Sequence, residues 1–293
     1  MNASFGIDHP LLAVHDIDTL RDKMISLGFN MTAIGKHPWG TSTSLAMFEG
    51  CLIEIMGIYD DSLLDELPAG DFRFGRHVYD HLQQREGIAL TALHSTDSHA
   101  DAERAKAAGF AVSGHLEFGR NVTLPDGRAG RTRTTLALMP DARRPRLSFF
   151  LCQQHRPELI YVAAWLEHPN TVDGICGVTI LADDKDHPAL IGKFKGLYGS
   201  AKEIESGFEV GTANGPIRVQ TREAVEHDFA KLPSIVKASR EPCIIALDLR
   251  YQNAHRLRRW IENSGLDHKE AGEAFTLMNS AEMGNTFLRF RKS

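Results

Sequence analysis

The feature that most restricts this chain is an internal repeat: a strand-length apolar run, a helix and a closing glycine recur four times. In the first copy, GIDHPLLAVHDIDTLRDKMISLGF, the run is followed by Asp16 or Asp18 as N-cap, then by Ile17, Leu20, Met24 and Leu27 at helical spacing, and Gly28 ends the helix. A second copy runs from GIALTALHSTD through an alanine-rich helix to Gly109-Phe110, so that LGF and AGF are matching ends. The third reads GICGVTILADD, then Leu190, Ile191, Phe194 and Leu197, closed by Gly199. The fourth reads PCIIALDL, then Leu257, Trp260 and Ile261, closed by Gly265. After each helix, short alternating runs with turn signals predict three strands in hairpin succession. In the first copy these are residues 31–35, 42–48 and 51–58; in the third, Asn214-Gly215 is a hairpin turn between two of them.

The predicted fold is therefore α+β: four βαβββ modules. A lone unit of this size buries too little surface to be stable, so the modules should pair. Residues 156–174 separate two pairs, giving domains at 1–160 and 170–293, and residues 60–82 link the first two modules as a partly helical segment.

Other features narrow the class. A formal charge of −5, from 33 basic and 38 acidic residues, supplies no basic field for nucleic acid or an anionic membrane. The apolar runs are far shorter than the roughly 20 residues of a membrane span, and no basic leader begins the chain. Cys51, Cys152, Cys176 and Cys243 have no paired spacing, which disfavours a disulfide framework and a thiolate zinc site and fits a reducing cytoplasm. Fourteen histidines are present, and composition does not rank them.

Strand alternation ranks one. It puts His9 with Ile7, Leu11 and Ala13 on one face of the first strand, and Glu54 with Leu52 and Met56 on one face of the last strand of the same module. Ile53, Ile55, Leu12 and Val14 then take the helix-packed face. A carboxylate inside LIEIM needs a cation, hydrogen bonds or a proton to offset its burial. Glu54 pairing with an arginine such as Arg73 or Arg76 is the structural alternative.

IDHPLLAVHDID, HPWGTSTSLAMF and CLIEIMG resemble the vicinal oxygen chelate superfamily, which includes glyoxalase I, extradiol dioxygenases and fosfomycin- and bleomycin-resistance proteins. FFLCQQHRPELIY followed by EHPN looks like a branch of glyoxalase-like proteins. The resemblance spans nearly the whole chain. It implies modules paired into two cup-shaped mixed sheets with helices on the convex face, and a divalent metal (Zn, Mn, Fe or Ni) held inside a cup by residues of first and last strands. His9 and Glu54 match the metal positions of the first module, with Gln153, Gln154 or His155 at the end of the second; Gln154 and His155 are taken as the candidates. In the C-terminal half the third copy has Cys176 near the first position and the fourth has only apolar residues, so that site is degenerate. Glu54 is also the candidate catalytic base.

For the substrate, Arg131 and Arg133 are read as sharing a strand face that offers an anion site, and Trp39 and Thr41, with His37, as lining a loop over the cup's mouth. His168 is expected to shape the junction between halves. The function implied is a metal-dependent lyase, isomerase or dioxygenase acting on a small molecule with vicinal oxygens. Extradiol dioxygenases keep their iron in the C-terminal half, which lowers that option. The alternative is a metal-free binding or sequestration protein. The degenerate half offers a surface for homodimer formation.

Overall fold

In the computed structural model, which describes residues 5–292, each half of the chain forms one curled eight-stranded mixed sheet. The first half contains β1 (Ile7–Ala13), α1 (Ile17–Ser26), β2 (Gly35–Lys36), β3 (Thr41–Phe48), β4 (Cys51–Ile58), α2 (Phe74–Gln84), β5 (Gly87–His94), α3 (Ser98–Ala107), β6 (Gly114–Phe118), β7 (Asn121–Thr123), β8 (Ala129–Arg131), β9 (Thr134–Met139) and β10 (Phe149–Gln154). After α4 (Ala163–Leu166), the second half contains β11 (Val172–Leu181), α5 (His187–Tyr198), β12 (Lys202–Ile204), β13 (Gly207–Thr212), β14 (Gly215–Gln220), α6 (Arg222–Asp228), α7 (Ser234–Ala238), β15 (Cys243–Tyr251), α8 (Ala254–Ser264), β16 (His268–Ala271), β17 (Ala274–Leu277) and β18 (Phe287–Lys292). The sheet orders, β2-β3-β4-β1-β5-β10-β9-β6 and β12-β13-β14-β11-β15-β18-β17-β16, are the same pattern twice. Within each module the first strand runs parallel to the last, and the two first strands pair antiparallel at the sheet centre. This is the expected pairing of modules.

The four repeat helices, α1, α3, α5 and α8, cover the convex faces. Asp16 is the N-cap of α1, accepting from the Thr19 amide at 2.9 Å. The two convex faces turn toward each other. Leu20, Met24, Ala102 and Ala105 from one half share a single apolar cluster with Leu190, Phe194, Leu257 and Ile261 from the other. At Gly28, which has φ 82°, a Cβ would come within 2.7 Å of the Trp260 ring, so glycine both ends α1 and admits α8.

The segments joining modules do more than link them. α2 lies across part of the first concave face, where Phe74, Val78 and Leu82 pack on Leu11, Ala89 and Leu90. In the second half α6, α7 and the chain around them do the same, with Val225, Phe229 and Val236 against Leu181, Ile245 and Phe287. Part of each cup is thus filled by its own connector.

The hairpin turn of the third module falls one residue earlier than expected: Thr212 pairs with Gly215, leaving Ala213-Asn214 as the loop. Asn214 is thereby free to cross to the other half, where its amide accepts from Ile7 N and donates to Ile7 O, both at 2.8 Å. Among the described residues no helix is long and apolar enough to cross a membrane.

Candidate functional site

β1 carries an irregularity that alternation does not reveal. Ile7 pairs with Leu93 and His9 with Ala92, so Asp8 is an extra residue, a bulge. Regular pleating would send Asp8 and His9 to opposite faces; instead the fully buried Asp8 carboxylate accepts from His9 Nδ1 at 2.6 Å and lies 3.4 Å from His94 Nδ1. With Nδ1 engaged, His9 Nε2 points at Glu54 Oε2, 3.4 Å away. The other Glu54 oxygen accepts from Thr43 Oγ1 at 2.5 Å and lies 3.9 Å from His37 Nε2. Asp8, His9, His37 and Glu54 are all buried.

His37 is placed by a tight turn between β2 and β3. Its amide donates to Thr41 O, its Nδ1 is 3.0 Å from Thr41 Oγ1, and its ring stacks on Trp39 with centroids 4.7 Å apart. Gly40 has φ 81°, and a Cβ there would lie 2.2 Å from Asp60 O, so the turn tolerates no side chain.

These environments push the two imidazoles apart. Burial disfavours the charged form of His9, but the hydrogen bond to Asp8 and the charges of Asp8 and Glu54 outweigh it and raise its pKa. His37 has no such support: burial, reinforced by Arg120 and His9, holds it well below the usual histidine range, as neutral imidazole. Burial alone would raise the Asp8 carboxyl, but the hydrogen bonds from His9 and His94 outweigh it and lower its pKa.

The group opens into a cavity of about 310 Å³, bounded by β3 and β4 on one side, β9 and β10 on the other, and Phe74 of α2 below. Its walls are mostly apolar, including Leu45, Met47, Leu52, Met56, Phe118, Leu136 and Phe150, with Arg120 and Asn121 at the β6–β7 side. Leu159, Ile160 and Trp165 close another side; they belong to the segment between the halves. That segment is pinned by His168, which accepts from Asn30 N at 2.9 Å through Nδ1 and donates to Met47 O at 2.8 Å through Nε2. Its position at the junction is the expected one.

The other sequence candidates divide. His9, Glu54, Trp39 and Gln154 line the cavity, and Thr41 supports His37. Gln154 is half-buried, its Oε1 accepting from Thr134 Oγ1 at 2.6 Å and its Nε2 facing Cys152 Sγ. His155 is not with them. β10 turns Phe150, Cys152 and Gln154 inward, so the next residue faces out, where His155 Nε2 lies 2.7 Å from Thr135 Oγ1.

Arg131 and Arg133 also miss the cavity, because the strand they were assigned to is broken. β8 ends at Arg131, β9 begins at Thr134, and Thr132 between them turns into the cavity. Arg131 bonds Asn121, and Arg133 pairs with Glu117 on the exposed face. Arg73 and Arg76 do not touch Glu54; they bond the Gly70 carbonyl and Asp65. His37 and Arg120 are the site residues whose roles sequence reasoning missed. His37 is expected only as a loop residue at the mouth, and no local pattern singles out Arg120.

The donors suit a divalent ion. Two ligands at about 2.0–2.2 Å from one ion can be no more than about 4.4 Å apart, and each Glu54–imidazole separation, taken singly, falls inside that limit. Asp8 behind His9 is the carboxylate–histidine arrangement that orients a ligating imidazole. Donor atoms of Asp8, His9 and Cys152 lie within 4.8 Å of one another, the one such group of three among the described residues, whereas His9 and His37 face different oxygens of Glu54. Burial raises the Cys152 thiol well above its ordinary value, and Asp8 is already engaged by two histidines.

The second cup has replaced this group. Cys176 is the extra residue of β11, so Gly177 stands where His9 does, and Arg218 takes the place of Glu54. There Asp248, 1% exposed, pairs with Arg289 at 2.6 Å, Arg218 at 2.8 Å and Arg291 at 3.3 Å.

No curated protein sequence matches the chain. The fold has clear relatives among solved structures. A hypothetical protein from Staphylococcus aureus aligns at TM-score 0.68 with 12% identity, covering 98% of this chain and 99% of its own. A mutant of 4-hydroxymandelate synthase from Streptomyces coelicolor aligns at 0.61 with 12% identity, covering 100% and 93%. The Mn(II)-bound glyoxalase from Novosphingobium aromaticivorans aligns at 0.54 with 11% identity, covering 100% and 83%. These likenesses show a shared fold. The glyoxalase-like domain matches residues 7–193, more than half of the sequence, and the chain belongs to that family, within the vicinal oxygen chelate superfamily.

Proposed function

We propose that the first cup is the active site of a divalent-metal-dependent enzyme acting on a small molecule with adjacent oxygens, of lyase or isomerase type. The observation that carries this reading is the convergence of His9 Nε2 and His37 Nε2 on the two oxygens of Glu54 at the end of an apolar cavity. His9, His37 and Glu54 would hold the ion, and Gln154 faces the same space. When bound, the metal supplies Lewis acidity to polarise neighbouring substrate oxygens.

The chain's own residues do the rest. Asp8 fixes the His9 tautomer and keeps Nε2 toward the cavity. Thr43 holds the Glu54 carboxylate in register through Oε1, and Glu54 would accept a proton from substrate through Oε2, the oxygen that Thr43 does not hold. The apolar walls keep bulk water from the reacting atoms. The solved glyoxalase with Mn(II) and the synthase share the fold and are consistent with this reading.

A second reading, metal-free binding of a small molecule, is favoured by one observation: the β10 side of the cavity presents Phe150 and Cys152, neither of them a good ligand here. Metal analysis of protein purified without a histidine tag separates the two. The enzyme reading expects about one divalent ion per chain, lost in His9→Ala and Glu54→Ala. Metal-free protein whose small-molecule binding is unchanged in both variants sinks it.

A further inference from the structure

Arg120 is the unexplained charge of this cavity. Its backbone is fixed on both sides by Thr132, whose Oγ1 accepts from Arg120 N at 2.9 Å and whose amide donates to Arg120 O at 2.9 Å. Its guanidinium is half-buried and, among the described residues, makes no side-chain hydrogen bond or ion pair. Four of the arginines that follow it are ion-paired. Arg128 holds Asp126, Arg133 holds Glu117, Arg144 holds Asp186 and Arg146 holds Glu241. Gly35 leaves the guanidinium its room: a Cβ there would lie 3.2 Å from Arg120 Nη1.

The remaining polar groups of the wall point the same way. Glu54 is the lone carboxylate among the lining residues, and Thr43 and His9 already engage it. Trp39 Nε1 is buried without a hydrogen-bond partner. The unspent polar groups of the cavity are therefore donors, while its walls are apolar. A half-buried guanidinium left without a partner beside two imidazoles offers the charge that a bound anion would complete.

We propose that Arg120 is a specificity-determining residue, and that the ligand of this cavity is a small organic anion: an apolar body with a carboxylate bound by the Arg120 guanidinium. The proposal rests on the cavity being a ligand site, as in the preceding reading, but not on the metal. A charge-assisted bond to a guanidinium gives about ten- to a hundredfold preference for the carboxylate over a neutral isostere.

The test uses the full chain treated with chelator, so that no ion can bind the probe. Binding of a panel of aryl and alkyl carboxylates and their primary amides is followed by tryptophan fluorescence and calorimetry. Wild type should prefer carboxylates by about tenfold or more, Arg120→Met should bind acid and amide alike, and Arg120→Lys should retain part of the preference. Arg120→Met should still bind the metal, at least as tightly because a neighbouring positive charge is removed, and His9→Ala should keep the acid preference; those two results separate failure here from failure of the metal reading. Circular dichroism confirms that each variant is folded. Equal binding of acid and amide by wild type across the panel, no binding of any carboxylate, or an undiminished preference in Arg120→Met would overturn the proposal.

Discussion

Asp248→Asn tests the electrostatics of the second cup. Asp248 is almost fully enclosed, and three guanidiniums converge on it: Arg289 through two hydrogen bonds of 2.6 and 3.1 Å, Arg218 through one of 2.8 Å, and Arg291 at 3.3 Å. The three losses are unequal. Arg218 keeps Glu209 at 3.5 Å, and Arg291, with 42% of its side chain exposed, can turn to water. Arg289 has neither outlet; it is 9% exposed on its side chain and stacked 4.2 Å from the Phe229 ring. Stranding a buried charge costs about 3–5 kcal/mol, and an asparagine oxygen recovers one hydrogen bond, so the loss should be about 3 kcal/mol at pH 7.

The pH dependence follows from the same contacts. Burial raises the Asp248 carboxyl, but the hydrogen bond from Arg289 and the charges of Arg289, Arg291 and Arg218 outweigh it and lower its pKa. A lowered carboxylate pKa contributes stability that is present above the unfolded value of about 4 and is lost as pH falls through the folded value. The gap between wild type and Asp248→Asn in urea unfolding, compared at equal m, should therefore be widest near neutrality and narrow below about pH 4. A loss under about 1 kcal/mol at pH 7, or a gap that does not narrow in acid, refutes the reasoning.

Asn214→Ala leaves the Ile7 amide and carbonyl unpaired at the start of the strand that carries Asp8 and His9, and should cost about 2–3 kcal/mol, with faster hydrogen exchange at Ile7 as the direct readout. Asp8→Ala removes the acceptor that orients His9, and should weaken divalent-ion affinity about 10–100-fold by calorimetric titration; undiminished affinity would show that the pair does not act as a unit.

What the sequence made legible was local and periodic. Strand, helix and glycine follow one another within some 25 residues, so the order of elements and the module pairing were readable from LGF, AGF and the alternating runs. Parity also brought His9 and Glu54 together. What escaped depended on breaks in that parity or on distant chain. The Asp8 bulge is defined only by the partner strand, so Ile7, expected on the face of His9, Leu11 and Ala13, packs instead in the apolar cluster shared by the two halves. Arg131 and Arg133 looked like one strand because TLPDGRAGRTRTTLAL alternates straight through the interruption at Thr132. Phe149 and Phe150 are equally apolar, so nothing local told which neighbour of Gln154 faced inward, and His155 remained a candidate. The descent of α2 into its cup is settled by the faces of β1, β4 and β5, far away in the chain.

The same crossing that joins the halves also lines the cavity, through Leu159, Ile160 and Trp165, and His168 ties it to the edge of β3. An occupant at that end therefore rests against the crossing itself. Its binding energy and the mobility of the 155–171 crossing become linked quantities: whatever stiffens that crossing improves the fit of the occupant, and by thermodynamic reciprocity the occupant stiffens the crossing in equal measure. In such a molecule the half that carries no ligands of its own still has a grip on how tightly the other half holds its guest.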